Sequence, residues 1–345
     1  MNKVVVYGTG QVWRELGWDL PKDTEIIAYA DSHENKCTSQ NGGLLFEGKP
    51  VYSPTELLEV EFDQIYICTN WKNAYDIRGK LLDLGIDRNK ITNLYQRYIQ
   101  GQWNTEYDSD NNLIHNVNGI RIRERKDNES DSETIQELFV TNCYGMDICH
   151  KDTVVIDMGM NIGIASLIFA QNENVKKVYG FEPFKDTYEA AVYNFSINKD
   201  IGIKIHPFNC AVFDFDGKKE IPVISEFAGG RVTVYEYIEN TENYQEYRKE
   251  NIEYRDAKRV LTEIFNENEG CHFVLKIDTE GAEFPIFKSI RDTNLLKEVD
   301  AIMMEYHGLP NELLDVLHKC GFICISPGNK NIGYIYAINR DRIAE

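Results

Sequence analysis

The sequence has no apolar run approaching the length of a membrane span, and its start, MNKVVVYGTG, carries only a short apolar patch, well below a signal-peptide core. A cytoplasmic protein with no membrane span is expected. Basic residues are in short supply, 37 Lys and Arg against 56 Asp and Glu, for a formal net charge of -19. Such a surface repels the phosphate backbone on which non-specific nucleic-acid affinity depends, so nucleic acid is not an expected partner. The eight cysteines are scattered, with no CxxC pair and no histidines at zinc spacing. That pattern excludes a zinc knuckle and predicts reduced, mostly buried thiols. No solenoid-type repeat is present. Wholesale disorder is excluded by the 42% apolar content and by 20 tyrosines and 16 phenylalanines.

At 345 residues the chain is long for one domain, and two compact α/β units are expected. In residues 1–100, VVVYG, EIIAYAD and QIYICT read as buried strands, alternating with helical QVWRELGWDL and AYDIRGKLLDLGI. Such alternation implies a parallel sheet with right-handed crossovers. Residues 101–119 are dense in Asn and Asp without a helical or strand period, and read as a linker. From 120 to 345 a second series begins: a helix over ETIQELFVTNCYG, then strands at VVIDMG, KVYGFEP, IKIHPFNCAVF, FVLKID, AIMMEYH and GYIYAI. The charged stretch 236–258 reads as a solvated helical insertion, or as a lid.

The stretch VVIDMGMNIGIASL, 154–167, ends a buried strand in Asp157 and follows it with Gly159 and Gly163. In an open α/β sheet, ligands bind beyond the carboxyl ends of the strands where strand order reverses, and glycines there let the backbone turn tightly. A pyrophosphate would meet the Asp157 carboxylate, at a cost on the order of 4 kcal/mol for like charges about 4 Å apart. A cationic ligand without phosphate, such as S-adenosylmethionine, would gain instead. Glu182 ends the next strand, where an acid either binds ribose hydroxyls or caps the following helix beside Pro183.

DMGMNIG, then FEPF, then KIDTEGAEF at 276–284, then MMEYH at 303–307 together resemble the FkbM-type family of S-adenosylmethionine-dependent methyltransferases, over roughly residue 120 to the C-terminus. The resemblance implies the class I methyltransferase sheet and S-adenosyl-L-methionine as cofactor. It places Asp157, Gly159, Asn161 and Gly163 along the methionine end, Glu182 at the ribose and Ala211 near adenine. Met160 stands where the family usually has alanine and would crowd the loop.

Methyl transfer to a hydroxyl needs a base, or a metal that acidifies the hydroxyl. Asp278 and Glu280 follow the FVLKID strand, and Glu305 and His307 end the AIMMEYH strand, so all four are expected to converge on one pocket. His307 reads as the general base, with Asp278, Glu280 or Glu305 orienting it or binding a divalent cation, Mg²⁺ or Mn²⁺. Lys276, with Asp278 or Glu283, reads equally as a structural ion-pair network. Arg231, in FAGGRV, either binds an acceptor phosphate or carboxylate or sits in an ordinary turn.

In the first unit, YGTGQVWREL has Gly8 and Gly10, but Trp13 where a dinucleotide fingerprint wants its third glycine. Asp31 closes the second strand at the place of a ribose contact. The segment is similar to Rossmann-like sugar-nucleotide-binding modules of bacterial glycan-modifying enzymes. It either binds such a ligand or serves a structural role, including assembly into a homo-oligomer. The expected function is O-methylation of a carbohydrate or nucleotide-linked glycan precursor. The rival readings are a non-catalytic nucleotide-sugar or S-adenosylmethionine sensor, and a nicotinamide-dependent oxidoreductase.

Overall fold

A computed structural model describes residues 2–10, 13–14, 20–32, 45–69, 71–93, 103–109, 112–125, 131, 134–135, 137–223, 248–326 and 331–342. The chain divides into two compact units, Met1–Asn104 and Thr105–Glu345. Among the described residues, no helix is long and apolar enough to cross a membrane.

The first unit is built on β1 (Asn2–Tyr7), β2 (Thr24–Ala30), β3 (Leu45–Phe46), β4 (Lys49–Tyr52), β5 (Gln64–Ile67) and β6 (Ile91–Asn93), in the order β3-β4-β2-β1-β5-β6. All neighbours are parallel except the β3–β4 hairpin. Strand alternation divides the core. Val5, Tyr7, Ile65 and Ile67 pack on one face, with Leu81 of the helix Trp71–Asp83, and Val4, Val6 and Tyr29 pack on the other. Trp13 joins this second face, edge-on to Tyr29 at 5.6 Å. The residue that spoils the dinucleotide fingerprint is therefore a core residue. Of the helix expected over residues 11–20, most lies outside the described residues.

The segment expected to be a linker carries strands. β7 (Trp103–Tyr107), β8 (Leu113–Val117) and β9 (Ile120–Arg123) form a three-stranded sheet. The Asn-rich composition belongs to its turns: Asn118 and Gly119 both have positive φ, and Asn112 closes a turn on Asp108.

The second unit centres on a seven-stranded sheet of β10 (Thr153–Met158), β11 (Val175–Phe181), β12 (Ile205–Phe208), β16 (His272–Ile277), β17 (Ala301–His307), β18 (Phe322–Ile325) and β19 (Ile332–Asn339). A side sheet is formed by β13 (Ala211–Phe213), β14 (Gly217–Pro222) and β15 (Lys249–Asp256), in the order β13-β15-β14. The main order is β12-β11-β10-β16-β17-β19-β18, with β19 antiparallel to both neighbours and the rest parallel. This is the sheet of the class I methyltransferases. The order reverses between β10 and β16, so a cleft opens beyond their carboxyl ends. Every residue of β10 is buried, as expected of a strand covered on both faces.

Where the charged stretch 236–258 is described, Lys249–Asp256 is a strand, antiparallel to β14, and only Ala257 and Lys258 enter a helix. Its polar side chains alternate with buried Ile252 and Tyr254, a half-buried pattern that its charge obscures in the sequence. Residues 224–247, including the loop with Arg231, lie outside the described residues.

Candidate active site

The loop after β10 turns through three left-handed residues, Gly159 (φ 84°), Asn161 (φ 50°) and Gly163 (φ 84°). The two glycines answer first to the fold. A Cβ on Gly159 would lie 1.7 Å from the Asp278 carbonyl oxygen, and one on Gly163 would lie 2.4 Å from the Phe195 ring. The amides of Gly159 and Met160 donate to the Phe181 carbonyl oxygen at 3.0 and 2.9 Å, tying the loop to β11. Met160 does not block the loop. Its side chain is buried against Gly180, where a Cβ would come within 2.5 Å of the sulfur. A glycine on the neighbouring strand thus makes room for the larger residue.

Asp157 is committed within the protein. It has no exposure, accepts a hydrogen bond from Ser166 Oγ at 2.6 Å, and stands 3.2 Å from Lys276 Nζ. Asp157 and Lys276 are register partners on β10 and β16, which brings the two charges together. The ammonium's short hydrogen bond goes to the Gly159 carbonyl oxygen at 2.5 Å, so Asp157 Oδ1 receives charge without an aligned hydrogen bond. Burial pulls the Lys276 pKa down, but Asp157 and Asp278 more than offset this and hold it above its usual value. Asp157 therefore presents no free charge to a ligand. It anchors the lysine that anchors the loop.

The four candidate catalytic residues do converge. Asp278, Glu280, Glu305 and His307 line a cavity of about 210 Å³, together with Asn161 of the glycine loop and Lys276. Asp278 lies 3.5 Å from Lys276 Nζ and accepts from the Tyr144 hydroxyl at 2.9 Å. Glu280 has φ 51°, a strained conformation for a residue with a side chain and one that concentrates at functional sites.

His307 is held at both ring nitrogens. Its Nε2 lies 3.2 Å from Glu280 Oε2 and its Nδ1 lies 3.4 Å from Glu283 Oε1, so both ring nitrogens face carboxylates. Glu283 is fully buried, and the same oxygen accepts from Thr279 N, Thr279 Oγ1 and Gly281 N. Burial alone would lower the His307 pKa, but the bond to Glu283 and the charge of Glu280 raise it to about 9. At neutral pH the ring is an imidazolium with no lone pair to accept a proton. The carboxylates move the other way. Burial and the charge of Asp278 lift Glu280 to about 7 and Glu305 to about 8, with His307 opposing both.

Asp278, Glu280 and His307 bring ligand atoms within 4.8 Å of one another, a spacing that would admit Mg²⁺ or Mn²⁺. An ion bound there would have to displace the proton that the flanking carboxylates hold on His307.

The remaining candidates lie apart from this cavity. Glu182 is buried, and its Oε1 accepts from Phe184 N at 3.0 Å; Phe184 is the N-cap residue of the helix Lys185–Ile197, which has no side-chain cap hydrogen bond. Ala211 opens β13 and packs in an apolar cluster with Phe184 and Tyr254. The sequence reading passed over Glu137 and Tyr144, which also line the cavity. Both fall in the stretch read as an ordinary helix, whose described part includes a wide π-type turn over Glu137–Thr141. Such turns recur at functional sites, but no residue pattern announces this one.

The fold is of the nucleotide-binding α/β class, with a cavity at the carboxyl ends of its central strands. Residues 157–324 match the profile of the family described as the methyltransferase FkbM domain. Residues 1–92 match one described as C2185-like, N-terminal. The chain is 24% identical over 211 residues to methyltransferase sdnD of Sordaria araneosa, covering 54% of this chain and 80% of that protein. It is 26% identical over 242 residues to the AMB antimetabolite synthetase AmbE of Pseudomonas aeruginosa, covering 60% of this chain but 11% of that much longer protein. Among solved structures, a methyltransferase FkbM from Methylobacillus flagellatus aligns over 98% of this chain and 90% of its own, at 14% identity and a TM-score of 0.37. The second unit thus matches the FkbM methyltransferase domain over residues 157–324, a domain of the S-adenosylmethionine-dependent type.

Proposed function

We propose that the second unit transfers a methyl group from S-adenosylmethionine to a hydroxyl oxygen of a carbohydrate acceptor. The observation that carries this reading is the shared cavity: Asn161, from the loop that opens the family match, lines the same space as Glu280 and His307. The loop fits the donor in its three left-handed turns, and Lys276 fixes it from beneath. On this reading Asn161 and the loop backbone between Gly159 and Gly163 hold the methionine end, Glu182 holds the ribose, and Ala211 lies beside adenine. When bound, the donor supplies a methyl carbon already activated by a positive sulfur, so the chain's task is to position the acceptor and remove its proton.

Glu280 takes that proton. A base that titrates near neutrality combines availability with driving force. His307 is a positioning residue: its imidazolium, held from behind by Glu283, steadies the Glu280 carboxylate. Tyr144 fixes Asp278, which keeps the local charge negative. No step is assigned to a divalent cation. An acceptor phosphate inside the cavity is disfavoured, because Glu137, Asp278, Glu280 and Glu305 all line it. Of the two acceptor classes the sequence raises, the carbohydrate itself fits better than a nucleotide diphosphate.

For the first unit we propose a nucleotide-type ligand at the tips of β1 and β2. Its strand order also reverses between β1 and β5, and the buried Asp31 accepts from Thr9 Oγ1 at 3.3 Å at that end. Trp13, committed to the core, weighs against a nicotinamide dinucleotide. Calorimetry of the full chain with S-adenosylhomocysteine, NAD and UDP-glucose tests the assignment. S-adenosylhomocysteine should bind one to one, and Gly159→Ala should abolish its binding. Binding of NAD alone would refute the transferase reading.

A further inference from the structure

We propose that the acceptor enters the cavity as a cation, an amino sugar or another hydroxyl-bearing primary amine, with its ammonium seated by Glu305 and Glu137 beside the Tyr144 ring. The inference rests on the methyl-transfer reading above and names the class of its acceptor.

The charges of the cavity are unevenly committed. Its two cations are already engaged. Lys276 is shared among Gly159 O, Asp157 and Asp278, and His307 lies between Glu280 and Glu283. Two of its carboxylates are engaged by these same cations. Glu305 is different: among the described residues it forms no hydrogen bond and no ion pair, although it lines the cavity and is mostly buried. Its surroundings repel a second negative charge. Asp278 and Glu280 face it from the end of β16, Glu137 faces it from the 137–141 turn, and only His307, on its own strand, opposes them. Burial and this repulsion hold Glu305 near pKa 8. A bound cation removes the conflict, whereas a neutral or anionic ligand leaves it in place.

The aromatic groups complete the seat. Tyr144 lines the cavity with its hydroxyl on Asp278, and Tyr334 meets it edge-on at 6.0 Å with its own hydroxyl on Glu137. Lys276 Nζ already lies over the Tyr144 ring at 5.1 Å, so the seat for an ammonium, which offers three donors, is formed chiefly by the carboxylates beside the ring. Protonated nitrogen held there has no lone pair, so the methyl group is directed to the neighbouring hydroxyl that Glu280 deprotonates.

The test is calorimetry of the full chain loaded with S-adenosylhomocysteine, titrated with matched pairs: glucosamine and glucose, serinol and glycerol, ethanolamine and ethylene glycol. The amine of each pair should bind roughly tenfold to a hundredfold more tightly, the range for a charge-assisted hydrogen bond. Glu305→Gln should abolish the preference while S-adenosylhomocysteine affinity, which reports the fold, is retained. Glu137→Gln should reduce it. Equal or absent binding of both members of every pair by the loaded chain overturns the inference and leaves the transferase reading standing. Mg²⁺ that binds tightly and displaces the amines also overturns it. Failure of S-adenosylhomocysteine itself to bind overturns both.

Discussion

Lys276 Nζ lies 3.2 Å from Asp157 Oδ1, with both side chains withdrawn from solvent at 3% and 0% exposure. The pair stands at the reversal of strand order, where an acid on β10 would otherwise face the ligand. Breaking a buried pair by removing one partner leaves an uncompensated charge, at about 3–5 kcal/mol. Lys276→Met should therefore destabilise the second unit by about that amount in urea unfolding. Asp157→Asn with Lys276→Met should recover most of it. Simple addition of the two single losses would show that the residues do not act as a pair.

The protonation states of Glu280 and His307 set a pH window for methyl transfer. Glu280 must be ionised to accept a proton, so the rate should rise as pH climbs through about 7. His307 must stay protonated to steady it, so the rate should fall as pH climbs through about 9. His307→Gln should remove the alkaline limb and keep the acid one. Stability follows the same group. The folded His307 pKa lies above its ordinary 6.5, so its contribution is fully present below about 6.5 and is lost as pH rises through about 9.

Gly159 and Gly48 offer a controlled comparison of left-handed glycines. Both have positive φ, 84° and 75°, but a Cβ on Gly48 meets nothing within 4 Å, whereas one on Gly159 would strike the Asp278 carbonyl. Gly48→Ala should cost about 1–2 kcal/mol, the conformational penalty alone. Gly159→Ala should cost about 3 kcal/mol or more and abolish S-adenosylhomocysteine binding by displacing the loop. Equal melting temperatures for the two variants would contradict the packing at the tip of β16.

Glu182 separates capping from ligand binding. Glu182→Gln keeps an acceptor for Phe184 N, so the melting temperature should hold while S-adenosylhomocysteine affinity falls about tenfold through the weaker bond to ribose. Glu182→Ala should lower both. If melting temperature alone responds, the residue is a cap and nothing more.

The strands that carry the site are readable in the sequence because buried parallel strands appear as continuous apolar runs, and the acids Asp157 and Glu182 stand out as the first charges after theirs, while Lys276 and Asp278 follow FVL. Convergence of Asp278, Glu280, Glu305 and His307 follows from neighbouring strand ends. What each group does there is less visible. That Asp157 opposes Lys276 depends on the register of two strands far apart in sequence, which no local pattern specifies. That His307 is held on both nitrogens depends on Glu283, which opens the helix after β16 and turns back beneath the ring. Lys249–Asp256 was obscured because its polar face outweighs its buried one, and the stretch with β7 and β8 because Asn-rich turns mask short strands.

The central claim is that Glu280, across one cavity from the glycine loop, takes the acceptor proton. The direct measurement is mass spectrometry of amine-bearing and neutral carbohydrates incubated with trideuteromethyl-labelled S-adenosylmethionine and either the unaltered chain or Glu280→Gln. A labelled methyl ether should form with the unaltered chain, and its rate should fall roughly 10²- to 10⁴-fold in the variant with cofactor affinity retained. The same product appearing at the same rate from both proteins would contradict the account.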